Sequence, residues 1–110
     1  MGYELHITRA SDWSMNEGLW ISPDDWKIAV RENAELELIS EGEPYPAAWL
    51  RDPSGERTTF EWSEGNIVVK NPTDATIRKM EELALQLRAK VQGDDGEAYA
   101  GGEPMTGQPE

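Results

Sequence analysis

The sequence predicts an α+β fold in which an antiparallel β meander packs against one long and one short α-helix. Apolar and polar residues alternate in several short segments up to residue 70, the period of half-buried strands. Beyond residue 73 apolar residues recur every three or four positions, the period of an amphipathic helix. The 110 residues have room for one core, so we expect a single domain over residues 1–100 and a flexible, acidic Gly/Pro-rich tail over 101–110.

The first strand is predicted at residues 3–8, where YELHIT places Tyr, Leu and Ile on one face and Glu, His and Thr on the other. Residues 9–22 contain Asp, Ser, Asn and Gly without a steady period, which is typical of a loop. This loop contains two tryptophans, Trp13 and Trp20.

The short helix is predicted to begin at SPDDW. Ser22 is a favoured N-cap and Pro23 suits the first helical position. Trp26 and Val30, four residues apart, predict the buried side of this helix.

Four further strands are predicted between residues 34 and 70, from the segments ELELI, YPAAWL, TTFEW and NIVVK. The segments DPSGE and SEG separate them with residues that favour tight turns. Strands joined in this way form a meander.

The long helix is predicted from NPTDATIRKMEELALQLRAKV, with Thr73 as its N-cap and Asp74 in its first turn. Its apolar positions are Ile77, Met80, Ala84, Leu87 and Val91. The segments AKVQ and EAYA around the GDDG turn then predict a small terminal hairpin.

Charge restricts the class of partner. The chain has 10 basic and 22 acidic residues and a net charge of −12, which opposes direct binding to nucleic acid or to an anionic membrane. A partner that uses electrostatic attraction is therefore expected to be a basic protein. The absence of cysteine excludes disulfides and thiolate metal sites. Without a long apolar run we expect no membrane span, and a cytoplasmic location.

His6 is the only histidine and the one side chain that ordinarily titrates near neutral pH, so it is a candidate general acid or base. No nucleophilic serine or cysteine stands in a recognisable setting around it. On the polar side of the first strand, a solvated or structurally hydrogen-bonded histidine is the favoured interpretation.

Three carboxylates in the GDDGE turn, Asp94, Asp95 and Glu97, are oxygen ligands of the type that calcium or magnesium prefers. Their spacing does not match an EF-hand loop. Two glycines and two short carboxylates also account for the segment as a turn. We therefore expect no metal and no cofactor here.

The tryptophans are numerous for so short a chain. Three are expected in the core, namely Trp26, Trp49 and Trp62. Trp13 and Trp20 lie in the loop, where tryptophan is a favoured anchor for a protein partner, although packing of the loop over the sheet explains them equally well. With Asp12 they are the candidate partner-binding residues.

Several segments resemble a group of small bacterial proteins of unassigned function. They are YELHITR at the start, DW at 12–13, IS at 21–22 followed by DW at 25–26, and GNIVVKNPTDATIRKMEELALQLRAKVQGDDGEAY. The resemblance spans nearly all of residues 3–99 and is most specific in VKNP and VQGDDGE. It implies a compact α+β protein of the bacterial cytoplasm; the extension after Tyr99 departs from the pattern.

Two functional hypotheses follow. The first is a non-enzymatic protein-binding module, such as an immunity or inhibitor protein that covers a basic site on its partner, by analogy of size and charge. The alternative is a small enzyme or ligand-binding protein that uses His6 and nearby carboxylates. No phosphate loop, dinucleotide fingerprint or nucleophile elbow occurs in the sequence.

Overall fold

The structure, a computed structural model, describes residues 4–55, 57–94, 97–100 and 103–104. These described residues form two helices and one sheet of eight strands in the order β2-β3-β4-β5-β1-β6-β7-β8, with every neighbouring pair antiparallel. The elements are β1 Glu4–Thr8, α1 Pro23–Arg31, β2 Leu36–Leu38, β3 Ala47–Trp49, β4 Thr59–Ser63, β5 Asn66–Lys70, α2 Asp74–Leu87, β6 Lys90–Gly93, β7 Ala98–Ala100 and β8 Glu103–Pro104. The predicted α+β class is confirmed.

Side-chain caps begin both helices, as the sequence predicts. The Ser22 hydroxyl accepts the backbone N–H of Asp25, and the Thr73 hydroxyl accepts that of Thr76. The long helix ends earlier than its apolar pattern suggests, because Arg88 adopts a left-handed backbone conformation with φ 56°. Val91 therefore belongs to β6, and its prediction as a helical position is corrected.

The core lies on one face of the sheet, between the strands and the two helices. β1 contributes Leu5 and Ile7 to it, and both are fully buried. Three tryptophans are buried in or against this core as predicted, namely Trp26, Trp49 and Trp62. The opposite face of the central strands is polar, and the candidate site lies there.

A buried lysine ties α2 to the segment before β2. Lys79 is only 3% exposed, and its ammonium group donates to the carboxylates of Glu35 at 2.7 Å and Glu82 at 2.9 Å. The contact with Lys79 lowers the pKa of the Glu35 carboxyl. Because both carboxylates are partly exposed, water shares in solvating this cluster.

The predicted DPSGE turn is organised by a buried carboxylate. Asp52 accepts hydrogen bonds from the backbone N–H and hydroxyl of both Ser54 and Thr58. Burial raises the pKa of Asp52, but these hydrogen bonds outweigh it and lower the pKa to about 2. The turn therefore favours the ionised carboxylate.

The described part of the chain has no helix long and apolar enough to cross a membrane. Within the predicted tail, Glu103–Pro104 pair with β7 as the last strand. Residues 101–102 and 105–110 lie outside the described residues.

Candidate functional site

The site is built on the polar face of the central strands. In the antiparallel register His6 of β1 stands opposite Val68 of β5 on one side and Gln92 of β6 on the other, and Val68 in turn pairs with Glu61 of β4. Paired residues of neighbouring strands point to the same face. The register therefore forms a row with the histidine near its middle.

His6 is held by a carboxylate from the far end of the chain. Its Nε2 lies 3.0 Å from Oδ1 of Asp94, whose other oxygen accepts the backbone N–H of Glu4 at 3.0 Å. Burial raises the pKa of Asp94, but the hydrogen bonds from His6 and Glu4 and the nearby imidazole together lower it.

This pairing determines which nitrogen of His6 donates to Asp94. Because an ionised carboxylate has no proton to donate, Nε2 is the donor of this hydrogen bond. Nδ1 is buried and has no hydrogen-bond partner among the described residues. His6 is only 2% exposed and its Nε2 pairs with Asp94, so the imidazole is hydrogen-bonded within the fold and is not solvated.

Trp13 covers the histidine. The two rings stack with centroids 3.7 Å apart and planes 4° from parallel. Three further contacts hold this tryptophan: its backbone N–H donates to Gln92, its carbonyl accepts from Asn66, and its indole N–H donates to the carbonyl of Asp94. Trp13 is therefore a support that fixes the loop to the sheet.

Trp20, by contrast, remains 48% exposed. Its indole makes an edge-to-face contact with Trp62, with centroids 5.6 Å apart, and lies directly over Gly65. A Cβ atom added to Gly65 would meet Cγ of Trp20 at 2.2 Å. Two more apolar side chains of the same loop are exposed, Met15 at 77% and Leu19 at 50%. We call Met15, Leu19 and Trp20 the exposed loop residues.

Asp12, the third candidate for partner binding, organises its own loop. Its carboxylate accepts the hydroxyl of Ser14 at 2.7 Å and the backbone N–H of the same residue at 2.9 Å. These two hydrogen bonds lower the pKa of Asp12. The residue is half-buried, and its main visible role is to shape the turn that follows.

A cavity of about 390 Å³ opens beside His6. β1, β4, β5 and the loop line it, and the lining includes Glu4, His6, Trp13, Glu61, Glu64 and Lys70. Its volume falls within the range of small-ligand pockets. Three acidic residues and one lysine therefore line this space.

In the acidic GDDGE turn, one residue belongs to the site and others close the turn itself. Asp94 reaches His6, while Gly93 donates to the carbonyl of Glu97 at 2.8 Å and closes the β6–β7 connection. Asp95 lies outside the described residues. The residue spacing did not predict a second group of possible metal ligands. Potential ligand atoms of Glu4, His6 and Asp94 all lie within 4.8 Å of one another.

Only part of that grouping had a signal in the sequence. Alternation along β1 places Glu4 and His6 on one face, whereas Asp94 is 88 residues from His6 and joins them only through the β1–β6 pairing. Two carboxylates and one imidazole offer suitable donor atoms for a divalent cation, but the His6 to Asp94 hydrogen bond already satisfies two of the three groups.

In comparisons with family models, with curated proteins and with solved structures, nothing matches this chain. Its function must therefore be argued from the geometry and charge of the site.

Proposed function

We propose that this protein is a non-enzymatic protein-binding module that holds a basic partner through the loop between β1 and α1. The observation that supports this proposal is the exposure of Met15, Leu19 and Trp20 within six consecutive residues. An immunity or inhibitor protein, which covers a basic site on another protein, is the kind of module that we favour.

The loop combines exposed apolar side chains with a fixed backbone. Trp13 anchors it to the sheet through stacking and three hydrogen bonds, so a partner would meet a largely preorganised surface. Preorganisation reduces the entropy lost on binding. Tryptophan is also among the residues that most often dominate binding energy at interfaces.

The charge around the loop favours a basic partner. Glu17 lies among the exposed loop residues, Asp24 follows Trp20 by four positions, and Glu64 precedes Gly65, over which Trp20 lies. All three are exposed, and the whole protein has a net charge of −12. Complementary potentials accelerate association and reject acidic competitors. The apolar side chains would then slow dissociation.

The alternative function, an enzyme or ligand-binding protein that uses His6, has less support. The imidazole is almost wholly buried under Trp13, and its Nε2 is engaged by Asp94. A general base must reach the proton that it abstracts.

The experiment is capture of a partner from the source-cell lysate on the immobilised full chain, with loop variants in parallel. We expect a basic protein that is retained by the wild type and lost with Met15→Ser and with Trp20→Ala. The control is Leu85→Ser, because Leu85 on α2 is 82% exposed and lies outside the loop.

Kinetics with the purified partner complete the test. Raising the salt concentration should slow association, since the Debye length falls from about 30 Å at 0.01 M to about 8 Å at 0.15 M. The loop variants should instead raise the dissociation rate. Equal loss of binding in Leu85→Ser, or an acidic partner, would contradict the proposal.

A further inference from the structure

We infer that the cavity beside His6 is a binding site for a guanidinium or ammonium group, supplied by a basic side chain of the partner protein. The inference rests on the proposed function, because it takes the partner to be basic. It adds a specific pocket and a specific chemistry to the surface formed by the loop.

The polar groups of the cavity point to a cation that donates hydrogen bonds. Three acidic residues line it, namely Glu4, Glu61 and Glu64, and among the described residues none of the three is in an ion pair. One cation, Lys70, offsets part of their charge. A guanidinium group has five N–H donors and no acceptor, so it complements such a lining.

His6 gives a second observation that is independent of these carboxylates. It lines the same cavity and is 2% exposed, and its Nδ1 is a buried polar atom with no hydrogen-bond partner among the described residues. The wall of the cavity that His6 forms therefore contains a polar atom that the fold leaves unpaired.

Trp13 contributes the aromatic component of the site. Trp13 lines the cavity, and an indole attracts a cation placed over its ring within about 6 Å. Guanidinium stacks on aromatic rings better than ammonium does, so arginine is the favoured side chain.

The position of the cavity indicates that a protein supplies this cation. Ser14 and Asn16 line it on either side of the exposed Met15 in the sequence. Glu64 lines it as well, and the next residue, Gly65, lies under Trp20. A partner seated on the exposed loop residues would therefore have its own side chains beside the opening.

The test is titration of the full chain with N-acetyl-arginine amide, followed by NMR at the indole N–H of Trp13 and the side-chain amide of Asn66. We expect saturable shifts. N-acetyl-citrulline amide has a similar shape without charge and should bind at least tenfold more weakly. The double variant Glu61→Gln/Glu64→Gln should weaken arginine binding at least fivefold. The control variant Glu37→Gln/Glu43→Gln alters two exposed carboxylates outside the cavity lining and should leave it unchanged.

Three results of the arginine and citrulline titrations would overturn the inference: shifts that do not saturate, equal binding of citrulline amide, or equal weakening in the control variant. A parallel titration with Zn²⁺ addresses the Glu4, His6 and Asp94 donor set. Saturable zinc binding that is lost in His6→Gln, without any arginine site, would also overturn it and assign the position to a metal. Arginine binding is measured without the partner. Its absence would therefore contradict the cation site alone, whereas the capture experiment with the loop variants tests the proposed function.

Discussion

Replacing Gly65 with alanine should unseat Trp20 and destabilise the fold. Gly65 lies in the β4–β5 turn at φ 85°, a conformation that L-residues rarely adopt. The added Cβ would lie 2.2, 2.5 and 2.6 Å from three atoms of the Trp20 indole. These separations are far inside van der Waals contact, so the ring must move.

The cost has two parts. Placing alanine in a left-handed conformation costs about 1 kcal/mol. Inserting a methyl group against a packed ring costs about 1–3 kcal/mol when neighbours must shift. Gly65→Ala should therefore lower the free energy of unfolding by about 2–4 kcal/mol in total.

Gly55 is the matched control. It has nearly the same φ, 79°, but an added Cβ would meet no atom within 4 Å. Gly55→Ala should therefore lower the free energy of unfolding only by the backbone cost, about 1 kcal/mol. The difference between the two variants isolates the contact with Trp20.

Urea unfolding followed by far-UV circular dichroism measures both variants without relying on tryptophan emission. A second comparison places Gly65→Ala in a Trp20→Ala background, where the cost should fall to that of Gly55→Ala. If Gly65→Ala and Gly55→Ala are equally destabilising in the wild-type background, Trp20 does not lie over this turn and the reasoning fails.

Three other substitutions test the electrostatics of the fold. Lys79→Met should lower the free energy of unfolding, measured with urea at pH 7, by about 1–3 kcal/mol. This loss is smaller than the loss of about 3–5 kcal/mol for a fully buried pair, because the carboxylate partners of Lys79 are partly exposed. The pKa of Asp52 is lowered from 3.8 to about 2, which corresponds to about 2 kcal/mol of stabilisation of the folded protein. This stabilisation should be complete above about pH 4 and should be lost as the pH falls to about 2. Asp52→Asn should abolish that part of the acid dependence, and an unchanged profile would contradict the assignment. Asp94 also has a lowered pKa, so the ionised carboxylate stabilises the fold and this stabilisation is lost as the carboxyl becomes protonated at acid pH. Asp94→Asn should therefore reduce stability more at pH 7 than in acid, and a loss that does not change with pH would be contrary to expectation.

Local chemistry made most of the fold predictable. Ser22 and Thr73 act as the expected caps, and alternation located β1, β4 and β5 within one residue. The end of α2 was harder to predict, because the apolar spacing continues to Val91 while the helix ends at Arg88. Nothing about an arginine favours a left-handed conformation, so the signal for this boundary lies in the tertiary packing of β6 against β1.

The site was harder to predict than the fold, because it depends on contacts across the whole chain. Sequence reasoning selected His6 and Asp94 separately, one as a possible base and the other as part of an acidic turn. Their pairing requires β1 to lie beside β6, which joins the two ends of the domain. Alternation also suggested that His6 faces solvent, whereas Trp13 covers that face.

The two loop tryptophans have separate roles that their sequence setting did not distinguish. Trp13 is held by His6, Gln92, Asn66 and the Asp94 carbonyl, so its removal should cost stability as well as any binding. Trp20 rests on a glycine turn and leaves about half of its surface exposed. A binding loop needs both properties, since an exposed anchor gains little affinity if the backbone that bears it must first be ordered. The contacts that hold Trp13 therefore support, rather than weaken, a binding role for the segment that follows it.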